Sequence, residues 1–416
     1  MISQIAGLVT RREGRKFLRL SDRPDDSAIN PGMLRAGEDL SLYVHIPFCR
    51  HLCPFCCFNR YLFNQEKALV YFVRLRRELE MYLERGFHFS SAYFGGGTPT
   101  VLMPELMKFL DFLRGGPGIK DVSLETNPDE LTRENIGALK DAGIKRLSIG
   151  VQSFQDEMMK AMGRTTCSGA EIKERLLKVQ GQFETLNIDL IFNFPFQTPE
   201  KFREDVRTFK SLGIDQVTFY PLMPSPHKKS AMERKFSSVK NSAESRYYNI
   251  ILEEIVAAGY KPSTVWCFSR GERMIDEYIV EHADYIGIGS GSVSLVGGRF
   301  YVNSFSLERY GELLEQRHFP VVRWRQLSEK EYRRYYFLTK LFGTRVNKPQ
   351  FRDHFGQDIH SALRCETALL KLAGTVSEDR QEIRVNRRGM HTVSVMMREF
   401  FAALNTLREY AIENQI

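Results

Sequence analysis

Four cysteines, Cys49, Cys53, Cys56 and Cys57, crowd into nine consecutive positions. The first three stand at C-x3-C-x2-C, directly after the apolar run Leu42-Tyr43-Val44-His45-Ile46. A loop this short can gather its sulfurs around one small metal centre, and no other stretch constrains the fold as much. Structural zinc takes four protein ligands. A [4Fe–4S] cluster is usually held by four thiolates, one per iron. With three thiolates, one iron keeps a position open to chelate a substrate or cofactor. A zinc knuckle, or a set of buried thiols, stays open as an alternative at this point.

The chain has 416 residues, enough for one large domain and a smaller one. Seven cysteines in that length make no disulfide framework, so a reduced compartment and a metal site are expected. An exposed iron–sulfur cluster also implies low oxygen. No apolar run reaches membrane-spanning length. The apolar residues Ile5 to Val9 precede Arg11-Arg12, the reverse of a secretory signal, so a cytoplasmic protein is expected. Net charge is +8, and Arg11, Arg12, Arg15, Lys16 and Arg19 form the densest early patch. No nucleic-acid motif accompanies it, so it reads as a solvated face.

Residues 1–40 read as a polar, turn-rich arm. A strand–helix rhythm then begins. Strands are expected at 42–46, 91–94, 122–125, 146–150, 188–191 and 216–220. Helices are expected at 66–85, 104–113, 133–142 and 199–212. The first presents Leu69, Phe72, Val73, Leu79 and Leu83 on one face. Such alternation implies parallel strands joined by right-handed crossovers, a partial (β/α)6 barrel with its chemistry at the strand C-terminal ends. A long helix over 242–258 and a glycine-marked segment at 284–294 follow. Ser328 and Glu331 make a capping box before a helix over 332–342. Further helices near 359–373, a short strand at 383–385, a basic turn at 386–389 and a final helix from 391 toward 412 suggest a helical, winged-helix-like C-terminal domain. The expected divisions are 1–40, a core barrel at 41–230, an extension on the substrate side at 231–322, and the C-terminal domain at 323–416.

Motifs sit at the strand ends. Tyr93-Phe94-Gly95-Gly96-Gly97-Thr98-Pro99 offers amide donors and close backbone approach. Glu125-Thr126-Asn127-Pro128 places a carboxylate where it can hold a ribose hydroxyl or an ammonium group. Ser148-Ile149-Gly150-Val151-Gln152-Ser153-Phe154 is followed by Arg164, a residue suited to a carboxylate. Asp189 lies near the end of its strand in Asn187-Ile188-Asp189-Leu190-Ile191.

In this order, over residues 42–226, these motifs resemble the radical S-adenosylmethionine (SAM) superfamily. The likeness is to the branch named for oxygen-independent coproporphyrinogen III oxidase, which includes heme chaperones, heme-opening methyltransferases and class C radical methyltransferases. Carried over by position, the resemblance implies that Cys49, Cys53 and Cys56 hold a [4Fe–4S] cluster. It implies that Tyr43, Phe55, Gly96, Gly97, Thr98, Glu125, Gln152, Arg164 and Asp189 surround the cluster-bound SAM. Several members bind a second SAM, and Tyr220 and Leu222 of Phe219-Tyr220-Pro221-Leu222-Met223 fall where they contact it. An aromatic face suits a sulfonium. An electron donor such as flavodoxin or ferredoxin is also implied.

The chain departs from its likeness at several points. Asn193 stands where many relatives have Gly, and Asn tolerates a positive φ. Phe58 stands where the oxidases have a fourth Cys, which argues against decarboxylation. Val302 stands where chaperones often carry His, which argues against heme transfer. Cys167 and Cys365 read as structural thiols, whereas Cys267 is a candidate to relay a hydrogen atom or touch the acceptor. The expected activity is methyl transfer from a second SAM to an sp2 carbon of an aromatic, quinone or tetrapyrrole acceptor. Coproporphyrinogen-type decarboxylation and heme handling are the alternatives.

Overall fold

The computed structural model describes residues 2–34, 40–116, 118–119, 121–223, 230, 233–234, 241–271, 277–414 and 416. The expected divisions at 40/41 and 230/231 border residues outside that description. The sheet is organised on β1 (Leu40–Ile46), buried at every position. Strands covered on both faces read as unbroken apolar runs because neither face meets water. After β1 come β2 (Ser91–Gly96), β3 (Asp121–Thr126), β4 (Arg146–Gln152), β5 (Thr185–Phe192) and β6 (Gln216–Pro221). They lie side by side in chain order, each parallel to the next, as the alternation of elements predicts.

The sheet continues past both ends of this set. β7 (Cys267–Ser269) runs antiparallel to β6, with Cys267 opposite Thr218. On the other side β8 (Asp284–Ile288) adds a seventh parallel strand, pairing Ile286 with Leu42. β9 (Val293–Val296), β10 (Arg299–Asn303) and β11 (Val321–Gln326) follow antiparallel. The glycine-marked segment is therefore a strand and its turn. Its five residues are too few for period to reveal them.

Helices α2 (Gln65–Glu84), α3 (Met103–Gly115), α4 (Arg133–Asp141), α5 (Gly169–Val179) and α6 (Pro199–Leu212) fill the crossovers. Asn64, Thr132, Ser168 and Thr198 cap four of them through side-chain oxygens, satisfying amides that have no partner in the first turn. The buried face of α2 is Ala68, Phe72, Leu75, Leu79 and Tyr82, with Leu69 and Val73 turned outward. The expected stripe was rotated because Glu78, a charged residue, belongs to the buried side.

The C-terminal part contains α7 (Glu244–Ala257), α8 (Leu307–Glu315), α9 (Glu329–Phe342), α10 (Arg364–Leu372) and α11 (Arg387–Glu413). A three-stranded antiparallel sheet of Arg345–Asn347, Glu382–Val385 and Val376–Glu378 stands among them. Ser328 and Glu331 form the expected capping box. The expected basic turn is instead the first turn of α11, because the Asn386 side chain caps it by accepting from the Gly389 amide.

The chain's first residues are not a loose arm. α1 (Ile2–Phe17) lies along α11. A Cβ on Gly7 would come within 2.8 Å of Val395, so glycine sets the close approach. Arg11 then pairs with the nearly buried Glu399 at 2.5 Å.

Candidate metal centre and nucleotide site

The cysteine loop leaves the end of β1 and is closed at its neck by backbone. Phe48–Cys49 pairs in parallel with Tyr61–Leu62, and the Phe63 amide donates to the Cys49 carbonyl at 2.9 Å. Asn59 anchors the neck to the turn after β8 through the Ser290 carbonyl at 3.1 Å. Inside the loop, Arg60 Nη2 donates to the carbonyls of Cys53 and Cys56. One guanidinium thus folds the middle of the loop and brings positive charge beside the thiols.

The Gly-rich turn after β2 clamps this loop from one side. The Gly97 amide donates to the Ile46 carbonyl at 2.8 Å, and the Thr98 amide to the Phe48 carbonyl at 2.8 Å. Gly96 has φ +110°, and a Cβ there would sit 2.6 Å from the His45 ring, so the position requires glycine. Thr98 Oγ1 points at Cys49 Sγ at 3.7 Å. Asn127 Nδ2 donates to Thr98 Oγ1 at 2.6 Å.

Arg164 follows the short helix Asp156–Ala161 that comes after β4. Its Nη2 donates to Asn127 Oδ1 at 2.9 Å and to the Gly150 carbonyl at 2.7 Å, while Nη1 stands 3.8 Å from Cys53 Sγ. Glu125 accepts from the Tyr93 hydroxyl at 2.8 Å and from the Gly96 amide at 3.3 Å. Asp189 accepts from Asn187 Nδ2 at 2.8 Å and from Ser148 Oγ at 3.3 Å. Gln152 adopts φ +71° where the β4–β5 register shifts. Asn193 has φ +60°, so asparagine takes the conformation that glycine supplies elsewhere.

Burial raises the Cys49 thiol to about 11 and raises the Cys56 thiol, while Arg60 acts in the opposite sense on both. These thiols feel one another and Cys53, so the loop has gathered them. Among the described residues no three Cys, His, Asp or Glu groups converge on one point as the ligands of a single ion would. A four-iron cluster spreads its thiolates over separate irons, and three soft donors under two guanidinium groups fit it.

The site contains residues that sequence pattern does not single out. Tyr278 stacks on Tyr43 with ring centres 4.9 Å apart at 16°. His45 joins Tyr43 to the loop neck through Nε2 and the Asn59 carbonyl, 2.9 Å apart. Asn127 and His45 lie within quoted motifs, so position alone flags them. Tyr278 comes from a separate segment, and only tertiary packing brings it in.

The residues assigned to a second nucleotide lie beside the cysteine loop. Leu222 packs with Met158, Met162, Ile191 and Phe194, and Phe55 of the loop joins that cluster. Cys57 Sγ stands 3.7 Å from the Met223 carbonyl. The Tyr220 hydroxyl lies 3.3 Å from Glu277 Oε1. Cys267 is fully buried within β7, inside the sheet rather than on an open rim.

Comparison with known proteins bears on the family and the fold. Residues 43–226 match the radical SAM superfamily. The chain is 26% identical to the heme chaperone HemW of Bacillus subtilis, over 77% of its own length and 88% of that protein's. It is 29% identical to the oxygen-independent coproporphyrinogen III oxidase of Pseudomonas aeruginosa, over 68% and 67% of the two chains. The solved structure of Escherichia coli coproporphyrinogen III oxidase superposes with a TM-score of 0.76 at 23% identity, covering 92% of this chain and 95% of that one. The two share a fold.

Proposed function

On the premise that the chain belongs to the radical SAM superfamily, in the branch of oxygen-independent coproporphyrinogen III oxidases and heme chaperones, we propose that it methylates a tetrapyrrole, using one SAM as radical source and a second as carbon source. The family uses a [4Fe–4S] cluster and SAM. When bound together, the two supply a 5′-deoxyadenosyl radical by one-electron cleavage of SAM. Cys49, Cys53 and Cys56 are the residues that would hold the cluster.

The remaining roles belong to this chain's own side chains. Arg164 offers a planar cation beside Cys53, suited to the SAM carboxylate. Glu125, fixed by Tyr93 and Gly96, offers an acceptor to the ammonium group. Asp189, fixed by Ser148 and Asn187, offers an acceptor to ribose. Gln152 lies next to it across the register shift. Tyr43 closes the floor with Tyr278.

One observation carries the methyl-transfer reading. The Cys57–Met223 contact sets the 220–223 segment against the cysteine loop, and Tyr220 and Leu222 of that segment would hold the second SAM. Two features weigh against the alternatives. Phe58, at the position of the oxidases' fourth Cys, is an exposed ring with the Arg408 guanidinium of α11 over it at 4.8 Å. Val302, at the chaperones' His position, is buried in β10 opposite Val293. The tetrapyrrole class is supported by two relatives, a coproporphyrinogen oxidase and a heme chaperone. The oxidase relative also favours a second reading, decarboxylation of a porphyrinogen propionate.

Product analysis after anaerobic reduction with SAM and a tetrapyrrole separates these readings. S-adenosylhomocysteine formed alongside 5′-deoxyadenosine is expected. Carbon dioxide with 5′-deoxyadenosine, and no S-adenosylhomocysteine, replaces methyl transfer by decarboxylation. Tight heme binding without turnover replaces both by chaperone activity.

A further inference from the structure

We propose that the outer side of α1 and the adjoining edge of α10 form a docking face for an anionic lipid bilayer. α1 is asymmetric around its axis and along it. Its inner side, with Gly7, Thr10 and Gly14, is turned to α11 or is buried. Its outer side carries Ile2, Ile5, Leu8 and Val9 in the first half, all between 48% and 65% exposed. Across a groove of about 700 Å³, α10 presents Leu369 at 66% and Leu372 at 85% exposure. Large apolar side chains from two separate elements thus share one opening, and apolar patches of this kind mark interaction sites.

The second half of α1 is cationic. Arg12, Arg15, Lys16 and Arg19 are all exposed. Lys16 pairs with Glu13 at 2.8 Å, but Arg12, Arg15 and Arg19 make no ion pair with any described residue. The acidic groups on the groove's rim are neutralised, since Arg334 pairs with Glu366 at 2.6 Å and with Glu13 at 3.5 Å. Ile5 and Arg12 are seven residues apart, close to two whole turns, so the apolar and basic halves of α1 open to the same side.

Charge selects the occupant. A second copy of this face would set three unpaired arginines against their equivalents across a two-fold axis, which is repulsive. An anionic bilayer supplies phosphates to the arginines and fluid acyl chains to an irregular groove. Stable membrane association needs two signals, and the face carries both an apolar and a basic one.

The test is co-sedimentation of the anaerobically reconstituted full chain with vesicles. Binding is expected to vesicles of phosphatidylcholine containing phosphatidylglycerol, and not to phosphatidylcholine alone. It should weaken with added salt. Replacing Arg12, Arg15 and Arg19 by Ala together should weaken it about a hundredfold, from about 1 kcal/mol per cation. The double variant Ile5→Asp, Leu372→Asp should lose binding at low salt while keeping its circular dichroism and iron content. No binding, equal binding to both vesicles, or binding untouched by either variant would overturn the proposal. So would a dimer in light scattering that the Asp variant splits, because a second copy then covers the face.

Discussion

The Tyr43 hydroxyl donates to His45 Nδ1 across 2.9 Å, and the direction is set from the far side of the ring. His45 Nε2 faces the Asn59 carbonyl, which can only accept, so Nε2 carries the proton and Nδ1 must accept. Burial lowers the imidazole to about 4, so it is neutral at pH 7. Tyr43→Phe leaves Nδ1 buried without a donor. It should cost about 1–3 kcal/mol of stability, read as a lower denaturation midpoint at unchanged slope. An unchanged midpoint would show that the hydroxyl is not held there.

Cys53 sits where the loop hydrogen bonds and Arg164 converge. Cys53→Ala removes one of three thiolates and should abolish both the full iron content after reconstitution and reductive SAM cleavage. Normal formation of 5′-deoxyadenosine by that variant would remove the cluster assignment.

Arg164 meets three partners from a rigid fork, at Asn127, Gly150 and Cys53. Lysine keeps the charge but lacks the fork. Arg164→Lys should weaken SAM binding about tenfold, roughly 1.4 kcal/mol, with little change in iron content. Equilibrium dialysis of the reconstituted protein checks this, and equal affinity would place the SAM carboxylate elsewhere.

Glu78 is a fully buried carboxyl that accepts from the Gly289 amide, Asn303 Nδ2 and the Tyr310 hydroxyl. Burial raises it from the ordinary 4.5 to about 7, more than those bonds lower it. Between these values the native state holds a proton that the unfolded chain has lost. Its contribution is therefore complete below the ordinary carboxylate range and is lost as pH rises toward about 7. The span is about 3 kcal/mol at most. Glu78→Gln should flatten the stability profile over that window whatever its absolute cost. A profile parallel to the parent's would show that Glu78 is ionised throughout.

Gly7 sets the distance between α1 and α11. Gly7→Val should force the helices apart at a cost of about 1–3 kcal/mol. Trypsin should then cut earlier at Arg11 or Arg12. Unaltered cleavage kinetics would mean that the Arg11–Glu399 pair holds α1 without close packing.

Much of the site was legible in sequence. The thiol spacing, the Gly-rich turn, Glu125 and Asp189 each lie within a few residues of a strand end, and Arg164 follows the one short helix after β4. A parallel sheet in chain order brings such ends to one edge, so spacing along the chain becomes proximity in space. Asn193 was legible for a similar reason, since its φ of +60° is a local property of the turn.

Sequence by itself determined the three-thiol loop, the order of β1 to β6 and the motifs on their ends, because those depend on residues close together in the chain. Only the tertiary structure decided that β8 lies beside β1, that Tyr278 stacks on Tyr43, that Cys267 is buried and that α1 rests on α11. Each of these joins segments more than a hundred residues apart, save Cys267 and its neighbour Thr218. Such pairings are chosen by the total apolar area and hydrogen bonding that the whole chain can bury at once. No local period records that sum.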